Sequence, residues 1–183
     1  MPHKPLWQFS DLSPPPDWTT LQHKAQQLIK FMRIRGTRLI TAESCTGGML
    51  ATLFTDFPGS SHVIEGGFVT YSNAMKHATL GVKNTTLQRY GAVSAQTVQE
   101  MAEGALRASE HATIAVAISG IAGPDGGTAE KPVGLVWFGT ALRHGITETD
   151  HQIFHGKRTD IRTQATHHAI KLIALALHLQ HHV

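Results

Sequence analysis

Apolar positions recur along this chain with two periods, one helical and one extended, and the switches between them outline the fold. Leu21, Ala25, Leu28, Ile29 and Met32 fall at helical spacing. Asp17 can cap the start of that run and Gly36 can end it, which predicts a first helix reaching about Arg35. Residues 38–43 then read as a strand, and a helix begins near Met49. Pro58-Gly59-Ser60-Ser61 reads as a turn ahead of a second strand over about 63–71. Ser72 can cap a short helix that carries Lys76 and ends before Gly81. Ser94 can cap a longer one, in which Val98, Met101, Ala102, Ala105 and Leu106 form the buried stripe. Residues 113–119 are apolar and β-branched, as a central strand requires. Strands over 133–141 and 148–154 follow, an antiparallel pair around His144-Gly145, and a final helix covers about 159–179.

Strands that alternate with helices predict an α/β fold, a three-layer α/β/α sandwich with a mixed, mostly parallel sheet. The chain has 183 residues and reads as one such domain over 17–183, with no internal repeat. Residues 1–16, with Pro14, Pro15 and Pro16 in a row, read as a loose N-terminal arm. Charged residues make up only 16% against 41% hydrophobic, a globular balance.

A net charge of +3 raises the question of nucleic acid, but the basic residues are scattered and form no stripe interleaved with aromatics. A mildly basic surface suits small anionic substrates instead. No stretch approaches the roughly 20 apolar residues of a membrane helix, and no apolar run marks the N-terminus. With Cys45 as the lone cysteine, the expected residence is the cytoplasm. The 13 histidines include His167, His168, His178, His181 and His182, and these read as surface residues rather than metal ligands.

Three segments can carry chemistry. In Ala42-Glu43-Ser44-Cys45-Thr46-Gly47-Gly48 a hydroxyl at a strand end precedes two glycines that open a helix. Such a turn can present backbone N–H groups to a phosphate or to the oxyanion of acyl transfer, or it can be a plain strand-to-helix turn capped by Ser44. Cys45 is a rival nucleophile, yet a lone cysteine beside Ser44 reads better as a small buried residue. In Tyr71-Ser72-Asn73-Ala74-Met75-Lys76 the lysine falls one turn into a helix. Burial would make it a general base and pair it with a serine; otherwise it is an exposed lysine on an amphipathic helix. The loop Gly120-Ile121-Ala122-Gly123-Pro124-Asp125-Gly126-Gly127 is richer in glycine than a turn requires, so it reads as backbone moulded around a ligand or as a long hairpin-like connection. It matches neither phosphate-loop pattern.

Taken together, these blocks resemble the CinA C-terminal domain family, which includes stand-alone nicotinamide-nucleotide amidases. The resemblance also rests on Gly59-Ser60-Ser61, Gly67-Phe68-Val69-Thr70-Tyr71-Ser72-Asn73, Gly91-Ala92-Val93-Ser94, Glu130-Lys131-Pro132-Val133-Gly134 and Phe154-His155-Gly156-Lys157-Arg158. It implies hydrolysis of nicotinamide mononucleotide to nicotinic acid mononucleotide and ammonia, without cofactor or metal, by a self-associating homodimer or higher homo-oligomer. It implies Ser44 as nucleophile, Lys76 as base and Tyr71 as their partner. Thr46, Gly47, Gly48, Ser60, Ser61, Asn73, Gly120, Ala122, Gly123, Lys131 and Arg158 are then expected to bind substrate. One departure stands out: the last block usually carries an acid where this chain has Lys157. The reading from a different class is a non-catalytic module that binds pyridine nucleotide for regulation.

Overall fold

The computed structural model describes residues 15–179. Residues 1–14 of the arm and the histidines at 181 and 182 lie outside the described residues, as does the side chain of His178. The elements run α1 (Trp18–Arg35), β1 (Leu39–Glu43), α2 (Met49–Thr55), β2 (Ile64–Val69), α3 (Asn73–Leu80), α4 (Asn84–Tyr90), α5 (Ala95–Arg107), β3 (Ile114–Gly120), β4 (Leu135–Leu142), β5 (Thr147–Ile153) and α6 (Arg158–Leu179). The local start and stop signals act as the sequence predicts. Asp17 accepts from the Thr20 amide, Ser72 from Met75 and Ser94 from Thr97, while Gly36 ends α1 in the left-handed conformation that glycine adopts without strain.

α4 is the element the sequence reading left out, and the reason is physical. Lys83 at its start makes no side-chain cap. The capping acceptor comes instead from α5, where the Glu100 carboxylate takes the Lys83 amide and the Thr86 hydroxyl, both at 2.8 Å. A cap supplied by another helix leaves no mark in the local sequence.

The sheet order is β2-β1-β3-β4-β5. β1 pairs in parallel with β2 and β3, and β4 pairs antiparallel with β3 and β5. Four strands therefore share one direction and β4 alone opposes them. The mixed sheet is as expected, but its pairings divide evenly between parallel and antiparallel, because the reversed strand lies between two others.

α1, α2 and α6 cover one face and α3, α4 and α5 the other, each over its own core. β3 shows how residue size sorts the two layers. Ile114, Val116 and Ile118 fill the core under α1, α2 and α6, while Ala115 and Ala117 face α5. Small residues on that side allow close approach: a Cβ on Gly139 would lie 2.4 Å from the Val98 carbonyl oxygen of α5.

His167 and His168 of α6 depart from the surface expectation. His167 is buried, and burial pushes its pKa down to about 4. His168 is half-buried between Phe138 and Phe154 and meets the Asp150 carboxylate at 2.6 Å. Packing of α6 on β4 buries this side of the helix, and His168 reaches Asp150 of β5 from it.

Gly104 of α5 packs on the end of α3, where an added Cβ would stand 2.0 Å from the Leu80 carbonyl oxygen. Gly104→Ala should therefore destabilise the protein by about 1–3 kcal/mol through overpacking. A urea-unfolding midpoint equal to that of the wild type would contradict this packing.

Candidate active site

β1 and β2 are parallel neighbours whose following segments leave towards opposite faces of the sheet, to α2 from β1 and to α3 from β2. Diverging loops at the carboxyl ends of adjacent strands open a crevice between them. Ser44 stands at one lip of it, and Lys76, in the first turns of α3, reaches in from the other. The Lys76 Nζ lies 2.9 Å from the Ser44 Oγ. The same nitrogen bonds the carbonyl oxygens of Thr70 at 2.8 Å and Tyr71 at 3.4 Å.

Lys76 is only 1% exposed, and burial lowers its pKa to about 8. A neutral amine has two N–H donors and one lone pair. Two carbonyls and one hydroxyl match the three donors of the ammonium; on deprotonation two donors keep the carbonyls and the lone pair turns to the Ser44 hydroxyl. The expectation that the lysine and the serine meet is realised in this geometry.

Cys45 follows Ser44 but is buried, and desolvation pushes its thiol up to about 12. A thiol of that kind supplies no thiolate near neutral pH. Its carbonyl and that of Thr46 accept from the Arg162 guanidinium of α6, at 3.1 and 2.8 Å. Arg162 thereby pins the serine turn from outside, a tie that no local pattern reveals.

The inside of the turn is held by Glu43, the last residue of β1, which is fully buried. Its carboxylate accepts from the Thr46 hydroxyl at 2.7 Å and from the amides of Gly48, Leu50 and Ala51 at 3.0, 3.1 and 2.9 Å. The anion sits on the N-terminus of α2, where free N–H groups and the helix dipole favour negative charge. Thr46, Gly47 and Gly48, expected to bind substrate, have partners within the turn. Thr46 is buried with its hydroxyl on Glu43, the Gly47 amide returns to the Ser44 carbonyl at 3.1 Å, and the Gly48 amide belongs to Glu43. The Thr46 hydroxyl and the amides of Gly47 and Gly48 are thus taken up in building the turn. One signal in the sequence pointed this way: a glutamate at the end of an otherwise uncharged strand must find partners when it is buried.

Tyr71 is 63% exposed, and its hydroxyl accepts from Arg158 at 3.0 Å. It meets the Ser44–Lys76 pair through its backbone carbonyl. Arg158 also donates to the Gly123 carbonyl at 2.8 Å. Because β1 lies between β2 and β3, this Tyr71–Arg158–Gly123 chain bridges the carboxyl ends of the strands that flank the serine turn. Asn73 is exposed at the start of α3, on the same lip as Lys76.

Other expected substrate contacts lie elsewhere. Ser60 and Ser61 precede β2, at the end of the sheet where Leu39 pairs with Ile64, so the five-residue strand β1 separates them from Ser44 by roughly 16 Å. The Lys131 amine is committed to the carbonyls of Tyr90 and Val93, at 2.6 and 2.8 Å. Ala122 is buried in the core, and a Cβ on Gly120 would collide with Val136, so packing accounts for both. Among the described residues, no three His, Cys, Asp or Glu side chains are grouped to hold a metal ion, and no helix is long and apolar enough to cross a membrane.

Glu43→Gln would turn an amide NH2 towards amides that now donate to a carboxylate. A loss of about 3 kcal/mol in stability is expected, since a charged acceptor of several hydrogen bonds is removed from a buried place. Equal unfolding midpoints for variant and wild type would refute the cap.

The sequence and fold have close counterparts among known proteins. The nicotinamide-nucleotide amidohydrolase PncC of Enterobacter agglomerans is 55% identical over 134 residues, which are 73% of this chain and 81% of that protein. The protein of the same name from Escherichia coli K12 is 49% identical over 153 residues, 84% of this chain and 92% of its own length. The crystal structure of a competence/damage-inducible protein from Agrobacterium tumefaciens superposes with a TM-score of 0.83 at 43% identity, covering 89% of this chain and 97% of that one. Residues 21–177 match the model of the CinA C-terminal domain, and this chain belongs to that family.

Proposed function

We propose that this chain is a nicotinamide-nucleotide amidohydrolase in which Ser44 attacks the carboxamide carbon and Lys76 moves the protons. The observation that carries the mechanism is the buried amine 2.9 Å from the serine hydroxyl, with its other directions filled by carbonyls. Relatives of about half-identical sequence, named for this activity, supply the substrate class: a pyridine mononucleotide that carries an amide.

The steps follow from the groups present. Neutral Lys76 takes the Ser44 proton as Oγ bonds to the carboxamide carbon. The tetrahedral oxyanion needs donors, and Glu43 and the Ser44 carbonyl already hold the Gly48 and Gly47 amides. We assign the oxyanion to the amides of Cys45 and Thr46, the first of them directly after the nucleophile. A donor of this kind lowers the barrier by about 3 kcal/mol. The C–N bond then breaks, and the Lys76 proton leaves with the nitrogen as ammonia. Water, activated by the same amine, releases the carboxylate product.

Within this reading Tyr71 is the hinge of the Arg158 bridge at the rim, and Asn73 and Arg158 are the polar groups left to meet the nucleotide. Cytoplasmic residence and self-association belong to the same proposal, the first supported by a single buried, reduced cysteine.

Ammonia release from nicotinamide mononucleotide tests the assignment. Ser44→Ala and Lys76→Ala should each lose at least about a thousandfold in kcat/KM, since the pair acts as a unit. Cys45→Ala should keep most of the rate. Wild-type turnover by either of the first two variants would remove the mechanism, and a matching collapse in the third would hand the nucleophile to the thiol.

The pH profile gives a separate check. The amine must be neutral to act as base, so activity is low well below pH 8, rises as pH passes through the lowered value of about 8, and levels off above it. A rate that stays flat from pH 6 to 9 would exclude Lys76 as the base.

A further inference from the structure

Thr70 follows β2 directly and is wholly buried, yet among the described residues its hydroxyl makes no hydrogen bond. An unpaired buried hydroxyl opposes folding, and valine has almost the same shape without that cost. A threonine here needs a reason.

Its surroundings supply one. The Thr70 amide donates to the Glu43 carbonyl at 2.8 Å, which carries the β1–β2 ladder one step past the Glu43–Val69 pair and sets Thr70 beside Ser44. Thr70 comes two residues after Phe68, which packs into the core under α3 and α5, so its side chain falls on that same face of the sheet. Lys76 approaches from this face, and the Thr70 carbonyl is its nearest acceptor.

We propose that Thr70 is a positioning residue for Lys76, whose amine its hydroxyl takes up whenever Ser44 is engaged with substrate. The inference rests on the reading of Ser44 and Lys76 as nucleophile and base. In the free enzyme the serine hydroxyl fills the third direction around Nζ. Acylation removes that partner: the hydroxyl proton passes to Nζ, the C–O bond forms, the C–N bond breaks, and the proton departs with the nitrogen as ammonia. The neutral amine is then left with a lone pair in a site almost closed to solvent.

A hydroxyl both donates and accepts. Thr70 Oγ1 donates to that lone pair and keeps the amine aimed until water arrives. When the water gives its proton to Nζ and bonds to the acyl carbon, Oγ1 accepts from the resulting ammonium. The ammonium returns the proton to Ser44 Oγ as the C–O bond breaks. Only the second half of the cycle depends on Thr70.

The experiment compares Thr70→Val and Thr70→Ser in the full chain, with Ser44→Ala and Lys76→Ala alongside, by rapid-quench and steady-state ammonia release from nicotinamide mononucleotide. Thr70→Val should melt at or above the wild-type temperature. It should keep kcat/KM within about twofold and lose about tenfold in kcat, the pattern of a defect after the first irreversible step. Ammonia should then appear in a burst of about one equivalent per active site before slow turnover, as in other acyl-enzymes limited by deacylation. Thr70→Ser should restore kcat.

An unchanged kcat in Thr70→Val, an equal loss in kcat and kcat/KM, or a lowered melting temperature would each overturn the inference. While Ser44→Ala and Lys76→Ala remain inactive, those results leave the amidase reading standing. Wild-type turnover by Ser44→Ala would overturn both.

Discussion

A lysine amine held almost out of contact with water, within hydrogen-bond distance of a serine, is the constraint around which this domain is arranged. Desolvation disfavours the ammonium and brings the pKa to about 8. Such a group persists only if its hydrogen-bonding capacity is met, and here the carbonyls of Thr70 and Tyr71 and the Ser44 hydroxyl meet it. Those three partners come from the ends of two neighbouring parallel strands. The order β2-β1-β3 and the departure of the two loops to opposite faces are what bring them to one point. Chemistry and topology are linked at this crevice.

The serine turn is rigid because charged side chains hold it from both sides. Glu43 takes the amides at the start of α2 from within, and Arg162 takes the carbonyls of Cys45 and Thr46 from outside. The same device recurs across the molecule. Lys131 gathers carbonyls between α4 and α5, Arg158 holds the Gly123 carbonyl, and Arg143 collects carbonyls around the end of α5. Much of the basic character of this chain therefore serves to tie loops to the sheet. That is why a net positive chain shows no basic stripe: many of its cations point at backbone oxygens.

Only part of the candidate site is legible in the sequence, because the partners of its polar groups come from distant segments. Ser44 and Lys76 were identified by resemblance, and the fold does bring them together. Thr46, Gly47 and Gly48 were expected to face substrate because glycines before a helix often do. In the fold the Thr46 hydroxyl and the Gly48 amide meet the buried Glu43 carboxylate, and the Gly47 amide returns to the Ser44 carbonyl. Lys131 and Ala122 looked available in a glycine-rich loop, but the first is bound to two carbonyls and the second packs in the core. Ser60 and Ser61 stand in a family block of their own and lie at the far end of β1. Nothing in the sequence marks Thr70 as a separate residue, because an unpaired hydroxyl exists only once everything around it has been placed.

What the sequence determined by itself is whatever depends on a residue and its neighbours within a turn or two. The helical stripes, the caps at Asp17, Ser72 and Ser94, the stop at Gly36 and the alternation of large and small residues in β3 are all of this kind. What only the tertiary structure decided is which distant charges and hydroxyls meet: Glu100 with the start of α4, Arg162 with the serine turn, Lys76 with a serine 32 residues earlier. Periodicity and capping arise from the geometry of a single segment. The meeting of remote polar groups is set by strand order and by the face to which each loop turns, and the gain from burying two apolar layers against one sheet decides both.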